Sequence, residues 1–118
     1  MTNDDFGKFR SRFAGCEVVM LADISTMTIL ASDSAIKLGQ EHLDRLCTAA
    51  STIFAAEASK GISVAFLTGP TGCTVFVRAN HGVPEVLCGV FAPGADLSGV
   101  SEAARALLET ADSEAVGE

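Results

Sequence analysis

The sequence contains no tryptophan and no tyrosine. Their absence removes the usual stacking platforms for bases and sugars. Positive charge is also scarce: eight Lys and Arg stand against 15 Asp and Glu, for a net charge of −7 and a pI near 4.6. With no basic cluster, such a chain is a poor match for a nucleic-acid backbone or an anionic membrane surface. No apolar run reaches the roughly 18 residues that a membrane span requires. The opening residues Met1-Thr2-Asn3-Asp4-Asp5 are acidic and lack the positive region of a signal peptide, so the expected location is cytoplasmic.

Catalytic signatures are missing as well. None of the four cysteines, Cys16, Cys47, Cys73 and Cys88, forms a CxxC pair, the short spacing a zinc site wants. They are expected to be buried, reduced thiols acting as small hydrophobes. There is no G-x-S-x-G. Gly69-Pro70-Thr71-Gly72-Cys73-Thr74 is similar to a phosphate loop but lacks the lysine. A strand rather than a helix N-terminus follows it, so it reads as a β-turn. His42 and His81 have no metal-ligand spacing and read as solvated surface. A Cys–His pair formed by Cys73 or Cys88 with His81 would draw its thiol from a strand interior, where thiols serve as packing. No catalytic, cofactor-binding or metal-binding residue is assigned, and the chain is read as a non-enzyme.

What the sequence does have is apolar surface to spare. It is 48% hydrophobic and only 19% charged, below the roughly 25% usual for a soluble domain, with a mean hydropathy of +0.37. Spare apolar surface marks an interface. The 118 residues suit one domain, expected over 1–111, with an acidic disordered tail at 112–118.

Phe6, Phe9 and Phe13 recur at helical spacing, which predicts a helix over about 4–14 that Gly15 closes. Two strands, 16–23 and 27–32, flank a turn at Asp23-Ile24-Ser25-Thr26 and should pair as an antiparallel hairpin. The longest helix is predicted over 40–60, with Leu43, Leu46, Cys47, Ala50, Ile53 and Phe54 on one stripe. Strands follow at 62–68, 73–78 and 85–91. A last helix, with Ser98 as its cap, carries Val100, Ala104, Leu107, Leu108 and Ala111 on its apolar side. Val18 and Met20 oppose Val19 and Leu21, and Val86, Cys88 and Val90 oppose Leu87 and Phe91. A sheet apolar on both faces must be covered on both. The expected architecture is therefore an α+β sandwich, with the long helix on one face and the two terminal helices on the other.

Two features point to an interface. Opposite its core stripe, the long helix presents Asp44, Arg45, Thr48, Ala49, Thr52 and Ala56, mostly small residues where Lys and Glu are the rule. The strand containing Ile62, Val64 and Phe66 has no charge and no proline, so as a sheet edge it would be an open template for pairing.

The pattern resembles the Roadblock / dynein light chain family over about residues 6–108. The stretches that carry the resemblance are Gly15 to Asp23 running through a turn into Ile29 to Asp33, the Ala-rich helix from Leu43 to Ala58, and the strand from Gly72 to Val77. The chain departs from the family at Thr26-Met27, where relatives often place glycine. The resemblance implies a five-stranded antiparallel sheet in the order 2-1-5-4-3, with the 62–68 strand at an edge. It also implies a homodimer or heterodimer joined along that edge, with the long helices side by side. Such a dimer would bind a Ras-like small GTPase or a larger protein assembly. A competing reading is a small-molecule sensor of PAS or GAF type, which shares the sheet-and-helix build but needs a pocket of convergent polar groups. A third reading is a small cysteine enzyme, for which no motif speaks.

Overall fold

The computed structural model describes residues 3–35, 39–55, 64–78 and 84–116. Its elements run α1 (Asn3–Arg12), β1 (Cys16–Asp23), β2 (Thr28–Ser34), α2 (Gln40–Ala55), β3 (Val64–Gly69), β4 (Gly72–Val77), β5 (Glu85–Phe91) and α3 (Val100–Val116). All strand pairings are antiparallel, and the order across the sheet is β2-β1-β5-β4-β3. The order and fold class are those expected.

The sheet separates two apolar clusters. Phe6, Phe9 and Phe13 of the N-terminal segment and Val100, Ala104 and Leu108 of α3 pack on Val19, Leu21, Val75, Val77, Leu87 and Phe91. On the other face Cys47, Ala50 and Phe54 of α2 pack on Met20, Ala22, Phe76, Val86 and Cys88. Each fully buried side chain of this size contributes about 2 kcal/mol. The alternation along β1 and β5 assigns the layers because successive side chains point to opposite faces.

Local chemistry sets the joints. Gly15 ends α1 with φ +86°, a left-handed turn that a side chain resists. At the hairpin the Asp23 carboxylate accepts hydrogen bonds from the Ser25 hydroxyl and from the Ser25 and Thr26 amides. These bonds, the Ser25 hydroxyl first, hold its pKa below the usual carboxylate range. Met27 then takes φ 57°, the left-handed conformation in which a glycine would sit without strain. Gly72 opens β4 with φ +137°, and a Cβ there would collide with the backbone carbonyl oxygen of Phe91.

Three expectations shift, and one lies partly outside the described residues. The second strand begins at Thr28 rather than Met27 and continues to Ser34. Ser98 does not provide the first helical acceptor of α3: the Ala103 amide bonds the Gly99 carbonyl, while the Ser98 amide is held by the Asp96 carboxylate. The last helix spans Val100–Val116, past the expected last apolar position at Ala111, through a stretch containing helix-favouring Ala and Glu. The C-terminal part of the long helix expected over 40–60 and the start of the strand expected at 62 lie outside the described residues.

Two irregularities shape β1 and β2. The register between β1 and β5 shifts between Cys16 and Val18, so Glu17 is an extra, exposed residue. That shift puts Cys16 on the same face as Val19 and Leu21. Between β1 and β2 the register shifts again, and Leu30 is the extra residue on the outer strand.

Candidate functional site

The sheet has two edges, and they differ. The β2 edge carries the bulge at Leu30 and a charge, Asp33, whose carboxylate takes a 2.6 Å ion pair from Arg10 of α1. Bulges and charges are the devices that blunt an edge strand against pairing. The β3 edge has neither. It runs in unbroken register with β4 through six pairs from Val64↔Val77 to Gly69↔Gly72. It contains no charged residue, and Phe66 and Leu67 are 48% and 52% exposed. Val64 packs toward the α1/α3 cluster and Ala65 toward the α2 cluster, so Phe66 and Leu67 project on opposite faces of the sheet. The outer end of β3 is thus apolar and uncovered on both sides.

On α2 the outer arc read from the helix wheel is described as far as Ala55. Asp44, Arg45, Thr48 and Thr52 are exposed. Ala49 is half-buried against the α2 cluster rather than fully on the outer face. Charge on this surface gathers in the first turns, where Arg45 bonds Glu41 at 2.8 Å and Gln40 bonds Asp44 at 2.9 Å. Beyond them the outer face is Thr48, Thr52 and Ala55. Val64 is half-buried and Phe66 exposed at the β3 edge. Ala56 and Ile62, also expected here, lie outside the described residues. Sequence reasoning did not single out Leu67, although the strand's uncharged character was the signal for it. Nor did it single out the exposed Met27 and Leu30 at the hairpin, which are 45% and 49% exposed.

All four thiols are buried. Burial raises the pKa of each: Cys16 to about 11, and Cys47, Cys73 and Cys88 in the same direction, with the neighbouring Cys47 adding to the rise at Cys88. A thiol raised this way is a poor nucleophile. His42 is exposed, and His81 lies outside the described residues. Among the described residues no three His, Cys, Asp or Glu side chains gather in a way that would hold a metal ion. The Gly69–Gly72 segment is the β3–β4 turn, as expected. The concavities are surface clefts; one of about 550 Å³ lies between residues 27–32 and the start of α2, and one of about 300 Å³ lies between α1 and α3. No helix among the described residues is long and apolar enough to cross a membrane.

Solved structures share this arrangement almost end to end. A Roadblock/LC7 domain from Streptomyces avermitilis superposes with a TM-score of 0.79 over 98% of both chains, at 10% identity. The chain has the Roadblock/LC7 fold. Myxococcus xanthus MglB matches with a TM-score of 0.72 over 94% of each chain at 15% identity. An MglB in a tetrameric arrangement matches with a TM-score of 0.73 over 92% of this chain and 86% of that one, at 22% identity. The sequence itself matches no family model and no curated protein. In the Roadblock/LC7 fold as this chain builds it, the bare β3 edge is the strand farthest from the blunted hairpin.

Proposed function

We propose that the chain is a non-catalytic, dimeric scaffold or regulatory subunit that binds a Ras-like small GTPase or a larger protein assembly in the cytoplasm. The observation that carries this reading is the β3 edge: an uncharged strand in regular register, with Phe66 and Leu67 exposed on opposite faces. Two copies joined there across a two-fold axis would continue the sheet, and each copy would bring its own α2 over the other's exposed apolar strand end. The small outer face of α2 at Thr48 and Thr52 suits a second helix at close range, and the paired α2 helices would then form the docking surface. The likeness to MglB, one structure of which is a tetrameric arrangement, supports an assembly of this kind. A cytoplasmic location fits four buried thiols that are not joined to one another.

Sedimentation velocity at micromolar concentration tests the dimer. The wild type should sediment at twice the protomer mass, and the double variant Phe66→Lys/Leu67→Lys at the protomer mass with an unchanged circular dichroism spectrum. A monomeric wild type, or a double variant that still dimerises, overturns the interface. The GTPase reading is tested by passing source cytosol over immobilised wild type and Thr52→Arg protein in the presence of GTP or GDP. A small GTPase retained by the wild type alone supports it; retention of no GTPase under either nucleotide overturns it.

A further inference from the structure

The α1/α3 face carries a feature that the dimer does not use. The two helices lie over one side of the sheet and leave a trough of about 300 Å³ between them. From α1 it is lined by Asp5, Lys8, Phe9 and Arg12, and from α3 by Ala103, Ala106 and Leu107. Those positions follow the three- and four-residue spacing of a single helix face, so the trough runs along both helices rather than across them. Its floor is apolar: Phe9 is buried, and Ala103 and Leu107 are half-buried against the core. Alanines at 103 and 106 keep the α3 wall low, the condition under which a third helix approaches closely.

The charge on the rim runs against the charge of the molecule. The chain carries a net −7, yet α1 holds three cations against two carboxylates. Arg10 is committed to Asp33 of β2. Lys8 and Arg12 line the trough, four residues apart on one face of α1, with the Arg12 guanidinium 5.3 Å from the centroid of the Phe13 ring. Asp5 also lines the trough, one turn before Lys8 and two turns before Arg12, so the Arg12 end of the α1 wall is the more positive. Screening limits the reach of more distant charge to about 8–10 Å, so a ligand in the trough responds first to its lining, two cations and one carboxylate.

We propose that this trough docks an acidic amphipathic helix of a partner protein, its apolar stripe on Phe9, Ala103 and Leu107 and its flanking carboxylates on Lys8 and Arg12. A polyanionic nucleic acid has no use for the apolar floor, and an extended strand finds no sheet edge between two helices. Because the trough lies on the face opposite α2, it stays open whether or not the β3 edge is paired. The proposal is therefore independent of the dimer.

The test uses two synthetic helical peptides of about 18 residues, roughly five turns, with the same Leu/Ala stripe. One carries Glu on its flanks and the other Lys. Fluorescence anisotropy should show the Glu peptide binding at least about tenfold more tightly, with the difference shrinking as salt is raised. Amide shifts in ¹⁵N spectra should cluster at residues 5–12 and 103–107. Lys8→Glu/Arg12→Glu should reverse the preference, and Ala106→Trp, at an exposed position, should fill the trough and abolish binding of both peptides. Equal binding of the two peptides, shifts centred elsewhere, or a double variant that keeps the Glu preference overturns the proposal. Lys8, Arg12 and Ala106 are all exposed, so circular dichroism of the variants separates lost binding from lost fold.

Discussion

The guanidinium of Arg78 lies 4.4 Å from the centroid of the Phe54 ring. Arg78 follows the last residue of β4 and is only 6% exposed, while Phe54 is in the last described turn of α2. The contact clamps the end of the long helix to the sheet, next to the strand that the proposed dimer uses. Arg78→Ala removes a desolvated cation–π contact and its packing, and should lower stability by about 2 kcal/mol in urea unfolding. Arg78→Lys keeps the charge but not the planar stack, and should recover less than half of that loss.

At the β3–β4 turn, Gly72 has no room for a side chain beside Phe91. Gly72→Ala should cost on the order of 3 kcal/mol, combining a positive φ with a backbone clash. Gly69, three residues earlier, has open space around its Cβ position and serves as the control. Gly69→Ala should leave the urea midpoint close to that of the wild type.

Alkaline pH should weaken the fold through Cys16. Burial lifts its pKa from the ordinary 9.0 to about 11, against the pull of the Arg10 guanidinium. The unfolded chain therefore releases this proton first, and above pH 9 it binds fewer protons than the folded chain. Stability from Cys16 is complete below about pH 9 and is lost as pH rises toward 11. Cys16→Ala should flatten that part of the stability–pH curve, and all four thiols of the folded wild type should react slowly with iodoacetamide at pH 8.

On the outer face of α2, Thr52→Arg places one extra cation per chain at an exposed position. If the helices meet across a two-fold axis, each substitution faces its own copy and acts twice. The variant should keep wild-type stability at high dilution and shift the dimer midpoint by at least about tenfold in analytical ultracentrifugation. Thr48→Ser, which changes neither size class nor charge, should leave the midpoint unchanged.

The order of the elements was legible because apolar periodicity switches from two to near four at Gln40 and back before β3. The two-sided strands gave the layers, since Val19 and Met20 cannot both face the same helix. The β1–β2 hairpin was legible from its short turn, but that β5 lies on the other side of β1 depends on contacts far apart in the chain, and only the family resemblance supplied it. The bulges at Glu17 and Leu30 were also hidden, because an extra residue leaves the local composition of a strand unchanged. The Ser98 cap failed because α3 begins at Val100 and its first helical acceptor is the Gly99 carbonyl, one residue later than a Ser98 cap requires. For the surface, the helix wheel found Thr48 and Thr52 but overstated the exposure of Ala49, which is half-buried against the α2-side cluster. The trough between α1 and α3 was invisible, since each helix alone shows only an ordinary amphipathic pattern.

If the chain pairs along β3 as proposed, the unequal edges of the sheet set the valence of the assembly. A sheet with two open edges grows without end, each added copy exposing a fresh template, and becomes a fibre. Here the bulge at Leu30 and the Arg10–Asp33 pair close one edge and leave β3 open. Strand-to-strand growth by the proposed β3 pairing would then terminate after a single addition. A substitution that straightened the Leu30 bulge and removed Asp33 would raise that valence from one to two, turning the proposed pair into a polymer.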